Sequence, residues 1–342
     1  MCSVTPTPSP VPSSRDATCL AEKVRQLKEL CGPGDEVIET HFAWIFLVGD
    51  RALKLRKPVR RDTMDYGTIE ARRAVSVEDV RLNRRLAPDV YLGTLPLTRS
   101  AGGRLVPGGT GEVVDWLVEM RRLDRRWFLD AALERGEVRA PMLERVADML
   151  AAFYASAAPA ISQPGELGPR LAARAAANTH VLVDLDETRA ARLARLQHSA
   201  LAMLEPVLDA RAAGGCIVEG HGDLRPEHIL LTEPPCVIDC LEFDRDLRVL
   251  DRAEELCVLE LECARLGHAG TGRWLLQACL ARLSDHPPAG LLDFYRSHRA
   301  AHRAKLYVWR AAEPDGGTPE HWRARAAQYL DTALESAAKA AG

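Results

Sequence analysis

The chain has 342 residues, of which 47% are apolar and 27% are charged, and its formal net charge is −3. A chain of this size forms one large domain or two lobes, and its negative total excludes a general attraction to nucleic acid or to an anionic membrane surface. Because the sequence has no apolar run of about 18 residues, no secretory signal and no CxxC pair among its nine cysteines, we predict a cytoplasmic globular protein that does not enter a membrane.

The N-terminal part of the sequence predicts a polar tail, a helix and a hairpin, in that order. Residues 1–15 are rich in proline, serine and threonine, which predicts a disordered tail. Apolar residues recur at helical spacing within 18–32, which predicts an amphipathic helix. Apolar β-formers within 36–58 flank Gly49 and Asp50, so we predict a β-hairpin that turns at these two residues.

The remainder of the chain changes from mixed to mostly helical patterns. Segment 68–88 has helical spacing, whereas segments 90–99 and 112–123 alternate like strands. After residue 123, long alanine-, leucine- and arginine-rich segments indicate helices. We therefore predict an α+β fold with a small lobe of antiparallel sheet and helix over 16–122 and a large helical lobe over 123–342.

Residues 216–243 interrupt the helical part with two short β-like runs, and each run is bordered by an acid. Asp223 lies in the sequence HGDLRPEHILL, and Asp239 lies in VIDCLEF, sixteen positions further on. Either these acids belong to two ordinary turns, or they form a site that holds a metal and a phosphate. The combined pattern is His-x-Asp-x4-(Asn/His), an apolar hairpin and then Ile-Asp.

This pattern resembles the catalytic and metal loops of the aminoglycoside phosphotransferase, or choline-kinase-like, family. The resemblance covers roughly residues 36–310 and implies a protein-kinase-like two-lobe fold, with a nucleotide-binding N-lobe and a C-lobe that carries the catalytic loop and the substrate site. The sequence is most similar to a bacterial subgroup that is often fused to a P-loop ATPase domain. Since the sequence contains no GxxxxGK[ST] motif, we expect such an ATPase to be a separate partner.

The resemblance assigns roles to the acids and to their neighbours. Asp223 matches the aspartate that orients the acceptor hydroxyl and takes its proton. Asp239 matches the aspartate that binds Mg²⁺ under the phosphates, and hard oxygen ligands suit that ion. Arg225 either reaches the transferred phosphate or an acidic substrate, or it pairs with Glu227. Asp251 matches a structural acid that braces the catalytic loop.

His228 departs from the family pattern, in which most relatives have asparagine as a second metal ligand. Imidazole is a poor ligand for Mg²⁺, so His228 binds the metal, holds a water or forms a hydrogen bond to Asp223. This departure keeps an alternative open, namely a nucleotide-binding pseudokinase or regulatory module with little activity. Glu242, three residues after Asp239, either assists the metal or holds the loop.

Three further residues are predicted to bind the nucleotide, which is ATP or GTP. Lys54 matches the lysine that contacts the α- and β-phosphates, and Lys57 is a neighbouring competitor. Such a lysine needs a carboxylate from the following helix, where Glu78 fits best and Glu70 is the second choice. Met120 would lie in the connection between the lobes, where backbone groups meet adenine.

These predictions combine into an ATP- and Mg²⁺-dependent phosphotransferase that acts on a hydroxyl group of a small molecule. The arginine-rich stretch 51–85 has no interleaved platform of aromatic residues on which bases could stack, so we do not expect nucleic-acid binding. Arg296, Arg299 and Arg303 fall on one helical face. Near the substrate, such a face would repel a polycationic aminoglycoside and favour an acidic or neutral acceptor.

Overall fold

A computed structural model describes residues 14–61, 64–313 and 317–342. Residues 1–13 of the predicted tail lie outside this part. The chain divides into two compact units, and the segment 236–245, which the sequence groups with the helical part, clusters with the sheet-containing unit. The first unit comprises Met1–Trp127 and Cys236–Arg245, and the second comprises Phe128–Pro235 and Asp246–Gly342.

The first unit combines two helices of 15 residues with short and long strands over its described residues. Thr68 caps the second helix by accepting a hydrogen bond from the backbone N–H of Ala71 at 3.1 Å. The helices are α1 (Ser14–Lys28) and α2 (Ile69–Asn83); the strands are β1 (Glu36–Glu39), β2 (Ala43–Val48), β3 (Arg51–Arg56), β4 (Arg60–Arg61), β5 (Met64–Asp65), β6 (Tyr91–Arg99), β7 (Leu105–Pro107) and β8 (Glu112–Arg121).

The main sheet of the first unit is antiparallel, with the strand order β1-β2-β3-β8-β6-β7 among the described residues. Val48 pairs with Arg51, so the β2–β3 hairpin turns at Gly49 and Asp50 as predicted. The φ angle of Gly49 is 56°, a left-handed conformation that costs glycine little because it has no Cβ.

The two faces of β3 pack against different partners. Leu53 and Leu55 belong to the core that includes Val24 and Leu27 of α1. Ala52 belongs to a second cluster on the opposite face, which includes residues of α2. Because strand side chains alternate between faces, Lys54 and Arg56 lie on the α2 side of the sheet. Burial of the leucines therefore fixes which way these two cations face.

The second unit is mainly helical in the part of the chain that is described. Its helices pack in pairs, with α10 against α11 and α5 against α6. The helices are α3 (Leu129–Glu134), α4 (Ala140–Ser156), α5 (Leu167–Leu182), α6 (Glu187–Ala213), α7 (Arg245–Arg248, which begins in the first unit), α8 (Arg252–Arg265), α9 (Ala269–Arg282), α10 (Ala289–Ala311) and α11 (Pro319–Ala340); the short strands in this part of the chain are β9 (Ile217–Glu219), β10 (Ile229–Leu230), β11 (Cys236–Val237, in the first unit) and β12 (Val249–Asp251).

Alanine and leucine stripes form the core of the second unit. Leu182 of α5 and Leu193 of α6 pack into one buried cluster with Ala304 of α10 and Leu330 of α11. The small alanine side chains allow the helices to approach closely, which explains why these segments are rich in alanine. The predicted α+β class is confirmed. Over the described residues, no helix combines the length and the hydropathy that crossing a bilayer requires.

Candidate functional site

Lys54 is the centre of a charged network in the first unit. Its side chain is buried, with 8% of the residue exposed, and its Nζ lies 3.0 Å from Asp79 Oδ2 and 3.2 Å from Asp239 Oδ1. The structure therefore brings the predicted residues Lys54 and Asp239 into contact, and both lie in the first unit.

The helix carboxylate that holds Lys54 is Asp79, and the prediction of Glu78 was wrong. Asp79 is 0% exposed on the side of α2 that faces the sheet. Glu78 lies one position, or about 100°, around the helix and forms a bidentate pair with Arg81 at 2.6 Å instead. Although aspartate is shorter than glutamate, the Asp79 side chain is directed toward the sheet and reaches Lys54.

Arg56 extends the network on the same face of β3. Its guanidinium contacts Asp79 Oδ2 at 2.5 Å and Glu242 Oε1 at 2.6 Å. Tyr66 donates its hydroxyl hydrogen to the same Glu242 oxygen at 3.3 Å. Of the two roles predicted for Glu242, these contacts favour holding the loop. The five charged residues, which we call the Lys54 cluster, are Lys54, Arg56, Asp79, Asp239 and Glu242.

The backbone around Asp239 is held in an uncommon conformation. Its φ angle is 63°, in the left-handed region that few residues other than glycine, asparagine and aspartate adopt. The Asp239 N–H donates to the Tyr91 hydroxyl at 3.1 Å, and the Cys240 N–H donates to Asn83 Oδ1 at 2.9 Å. Asn83 also donates to Asp79 at 2.7 Å. Helix α2 therefore positions both the acid that holds Lys54 and the turn that carries Asp239.

The Lys54 cluster keeps its lysine charged. Burial alone would lower the pKa of Lys54, but the nearby carboxylates of Asp79 and Asp239 outweigh burial and raise the pKa above its ordinary value. A permanent positive charge on a strand, supported by two carboxylates, is suited to bind phosphate oxygens.

The surroundings of Asp239 suit a hydrated magnesium ion better than a metal ion that protein ligands enclose completely. Its side chain is 52% exposed, with one oxygen directed at Lys54. Across residues 14–61, 64–313 and 317–342, no three His, Cys, Asp or Glu side chains form a group that could hold a metal. Mg²⁺ keeps several waters and takes one or two protein carboxylates together with substrate phosphates. The single carboxylate of Asp239 therefore fits a magnesium ion whose other ligands are water and the phosphate groups of a bound compound.

Met120 lies at the end of β8, in the buried cluster that includes Tyr91 and Val80. It pairs with Ala52 and with Tyr91 across the sheet. The assignment of this position to adenine binding stays a prediction.

The second predicted group lies in the second unit, on the loop of residues 221–228. Arg225 Nε lies 3.0 Å from Asp223 Oδ2, and its Nη1 lies 3.4 Å from Glu227. Burial would raise the pKa of Asp223, but Arg225, followed by His228 and Arg303, lowers it to about 2. Asp223 is therefore ionised at neutral pH and accepts hydrogen bonds.

His228 holds this loop through both ring nitrogens. Its Nδ1 lies 2.8 Å from the Asp223 carbonyl oxygen, and its Nε2 lies 3.0 Å from Arg225 Nη2. A carbonyl only accepts and a guanidinium only donates, so Nδ1 carries the hydrogen and the Nε2 lone pair is occupied. Both ring nitrogens are therefore engaged in this arrangement, and the assignment of His228 as a metal ligand stays a prediction. Hydrogen bonding to Asp223, the third alternative, is observed through the backbone.

Glu255 is a functional candidate that the sequence reasoning missed. It is fully buried on α8 and accepts the backbone N–H groups of His221, at 2.9 Å, and of Gly222. Tyr154 donates its hydroxyl hydrogen to the same carboxylate at 2.7 Å. A signal was present, since two adjacent acids, Glu254 and Glu255, directly precede the apolar run 256–259 in α8.

Asp251 supports the loop through the start of α8. It is buried, caps α8 through the Ala253 N–H at 2.8 Å and accepts the Tyr295 hydroxyl at 2.8 Å. Arg211 binds both of its carboxylate oxygens. Because α8 carries Glu255, Asp251 braces the 221–228 loop indirectly.

Comparison with known proteins identifies relatives over most of the chain. The model of the phosphotransferase enzyme family (APH) matches residues 102–259. Uncharacterized proteins of Mycobacterium tuberculosis (Rv2004c) and Mycobacterium bovis (Mb2027c) are each 33% identical over 317 residues, which is 90% of this chain. The chain spans 60% of the length of these relatives.

Three solved structures share the fold at low sequence identity. The GDP complex of aminoglycoside 2'-phosphotransferase-IIIa has a TM-score of 0.53, is 14% identical and covers 95% of this chain and 99% of its own. A thermostable mutant of aminoglycoside phosphotransferase APH(4)-Ia, with AMP-PNP and hygromycin B, has a TM-score of 0.51, 13% identity and coverage of 90% and 97%. Choline kinase from Cryptosporidium parvum has a TM-score of 0.50, 11% identity and coverage of 93% and 96%. The predicted fold and the predicted resemblance to aminoglycoside phosphotransferases and choline kinase are confirmed, whereas the link to a subgroup that is fused to a P-loop ATPase stays a prediction.

Proposed function

We propose, from the match of residues 102–259 to the model of the phosphotransferase enzyme family, that the chain transfers the γ-phosphate of ATP or GTP to a hydroxyl group of a small molecule. The alternative is a nucleotide-binding pseudokinase or regulatory module. The observation that carries the enzyme proposal is the Lys54 cluster, in which a buried lysine is held by Asp79 beside the half-exposed carboxylate of Asp239.

The Lys54 cluster supplies the nucleotide half of the proposed chemistry. Lys54 would contact phosphate oxygens, and its pairing with Asp79 keeps the ammonium in one position before the nucleotide binds. Asp239 would hold Mg²⁺, which neutralises charge on the phosphates. The left-handed turn at Asp239 is the type of backbone strain that concentrates at functional sites.

The 221–228 loop supplies the acceptor half. In the transfer, the bond between the terminal phosphorus and the bridging oxygen of the nucleotide breaks, and a bond to the acceptor oxygen forms. The hydroxyl proton passes to the Asp223 carboxylate. With a pKa of about 2, Asp223 is a weak base that mainly orients the hydroxyl, which suits a loose transition state. Arg225 holds Asp223 in place, and its contact with the transferred phosphate is a further part of the proposal.

Mass spectrometry with candidate polyols, sugars and aminoglycosides tests the proposal through the gain of one phosphoryl group in the presence of nucleotide and Mg²⁺. Asp223→Asn should lower the rate about 100-fold or more, because it removes the proton acceptor while keeping the shape. Lys54→Met should also lower it. Lys57→Met should not, since Lys57 pairs with Glu39 at the surface, at 2.6 Å.

Circular dichroism of each variant separates loss of function from loss of structure. Nucleotide binding by the unmodified protein without transfer to any acceptor would support the pseudokinase alternative. Equal rates for the unmodified protein and Asp223→Asn would remove the proposed role of the 221–228 loop.

Two further expectations remain proposals of the same kind. We propose a cytoplasmic location and a separate P-loop ATPase as partner, and the support for the latter is the resemblance to a subgroup in which the two domains are often fused. Co-purification of such an ATPase with the tagged chain from its native host would test the partnership.

A further inference from the structure

A cluster of basic residues lies beside the 221–228 loop in the second unit. Arg299 of α10 donates to the Gly222 carbonyl at 3.1 Å and lies 3.6 Å from Glu254 of α8. Arg174 of α5 donates to the Val249 carbonyl at 3.5 Å. Gly222 directly precedes Asp223, so Arg299 contacts the backbone next to the proposed acceptor-binding residue. We call Arg174, Arg299, Lys305 and Glu254 the basic cluster.

The basic cluster contains more positive than negative charge. Burial lowers the pKa of Lys305, and repulsion from Arg299 and Arg174 lowers it further, to about 8. Burial would raise the pKa of Glu254, but its hydrogen bond with His298 and the nearby arginines lower it to about 2, so it is ionised. Glu254 therefore interacts with Arg299 and Arg174, and the same two arginines repel Lys305, so the basic cluster contains three cations and one carboxylate. Within the described residues Lys305 forms no ion pair, and its Nζ lies 5.0 Å from the centre of the Trp309 ring.

Asn178 is an independent indication of a ligand-binding site in this region. It is 1% exposed, and within the described chain neither its amide nitrogen nor its amide oxygen has a hydrogen-bond partner. It follows Arg174 by four positions on α5, so the two side chains lie on the same helix face. Buried polar groups are nearly always hydrogen-bonded, and a bound ligand is one way to satisfy such a group.

We propose that the basic cluster and Asn178 bind an oxyanion, and that the acceptor is a small hydroxyl compound that carries a carboxylate or phosphate group. The inference rests on the proposed function, because it names the acceptor class of that site. Lys305 and Arg174 would pair with the oxyanion, the Asn178 amide would donate to it, and Arg299 would link the site to the loop of Asp223. A polycationic aminoglycoside would be repelled.

The neighbouring arginines of α10 do not contribute to this excess. Arg296 pairs with Glu260 at 2.7 Å and with Asp293 at 2.9 Å, and Arg303 lies 3.2 Å from Glu262. Of the three arginines that the sequence placed on one face of α10, only Arg299 belongs to the basic cluster. Anion binding is therefore localised to the α5–α10 side of the loop.

Calorimetric binding of glycerol, glycerate and glycerol 3-phosphate, without nucleotide, tests the proposal independently of activity. These probes share a hydroxyl-bearing skeleton and differ in the oxyanion. Lys305→Gln should weaken binding of the charged probes roughly tenfold or more, since it removes a charge-assisted hydrogen bond. The matched control is Lys339→Gln, an exposed lysine of α11 whose loss changes the net charge equally.

The thermal midpoint provides a check on folding. Lys305→Gln relieves repulsion, so its Tm should equal or exceed that of the unmodified protein, and weaker anion binding cannot then be attributed to unfolding. Binding of both glycerate and glycerol 3-phosphate that depends on Lys305 supports the proposal. The probe that binds more tightly identifies whether the preferred oxyanion is a carboxylate or a phosphate. Equal binding of glycerol and the charged probes, or binding that Lys305→Gln leaves unchanged, overturns it.

Mass spectrometry of the same three probes with nucleotide and Mg²⁺ separates this inference from the proposed function. Lys305-dependent binding of the charged probes without phosphoryl transfer to any acceptor leaves the anion site intact and contradicts the enzyme proposal. Transfer to neutral acceptors alone, with no binding of the charged probes, leaves the enzyme intact and contradicts the anion site.

Discussion

The Lys54 cluster of the first unit and the basic cluster of the second unit have opposite charge imbalances. The Lys54 cluster sets the carboxylates of Asp79, Asp239 and Glu242 against two cations, whereas the basic cluster sets three cations against Glu254. An excess of buried charge costs free energy unless a ligand of the opposite sign completes it. The first imbalance therefore suits a metal cation, and the second suits an anionic acceptor.

The clusters also differ in how tightly their charges are joined. In the Lys54 cluster, one carboxylate, Asp79, binds both cations directly, at 3.0 and 2.5 Å. In the basic cluster, Lys305 has no carboxylate contact within the described residues, and Arg299 approaches Glu254 only to 3.6 Å. The first cluster is consequently part of the structural core of its unit, whereas the second can lose a charge without loss of stability.

The largest effect that sharpens this comparison is expected for Asp79→Ala. Removing this carboxylate leaves Lys54 and Arg56 buried without their shared partner, so the free energy of unfolding should fall by about 3–5 kcal/mol. Urea denaturation followed by circular dichroism measures the change.

The neighbouring substitution Glu78→Ala is the matched control, because the Glu78 side chain is 32% exposed and pairs with the exposed Arg81 of the same helix. It should change the free energy of unfolding by no more than about 0.5 kcal/mol. Equal effects of the two substitutions would break the comparison, since the Lys54 cluster would then contribute no more than a surface pair.

Acid should weaken the second unit through Asp223. Its pKa of about 2 lies below the ordinary value of 3.8, so the ionised form stabilises the folded state above pH 4, and this stability is lost as the pH falls toward 2. The loss from Asp223 alone is about 2 kcal/mol. The urea midpoint of the unmodified protein should therefore drop more between pH 5 and about 2.5 than that of Asp223→Asn.

Asp50→Asn, which changes a side chain that is 83% exposed in the β2–β3 turn, is the control for this pH series. Its urea midpoint should follow that of the unmodified protein. Glu254 has a similarly low pKa and contributes in the same direction, so Asp223→Asn should retain part of the acid sensitivity. Identical pH profiles for the unmodified protein and Asp223→Asn would contradict the ionised pair of Asp223 with Arg225.

Local patterns predicted part of this architecture well. The turn at Gly49 and Asp50 and the alternation along β3 depend on neighbouring residues only, and the same alternation indicated the direction of Lys54. The choice between Glu78 and Asp79 was beyond the sequence, because one helical position rotates a side chain by about 100° and the pattern of α2 does not define its buried face that finely.

Contacts between distant segments were harder to predict. Glu255 holds the backbone of His221 and Gly222 across more than thirty positions, at 2.9 Å for the first of these. An acid next to an apolar run of a helix indicates that a partner exists if the acid is buried, but the sequence does not say from which backbone groups it accepts hydrogen bonds. The same limit applies to Asn178, whose side chain has no hydrogen-bond partner among the residues that the structure describes, a fact visible only in three dimensions.

The smallest expected effect is that of His228→Asn, which restores the residue that the family resemblance implies. The imidazole joins the Asp223 carbonyl and Arg225, and the shorter asparagine can keep one of these contacts, so the free energy of unfolding should fall by about 1 kcal/mol. The Mg²⁺ concentration that supports half-maximal phosphoryl transfer should change little, because the Nε2 lone pair is already occupied. His286→Asn, at an exposed position, is the control. A large shift in the Mg²⁺ requirement of His228→Asn, with none in His286→Asn, would contradict this expectation. It would show that His228 leaves Arg225 and binds the metal.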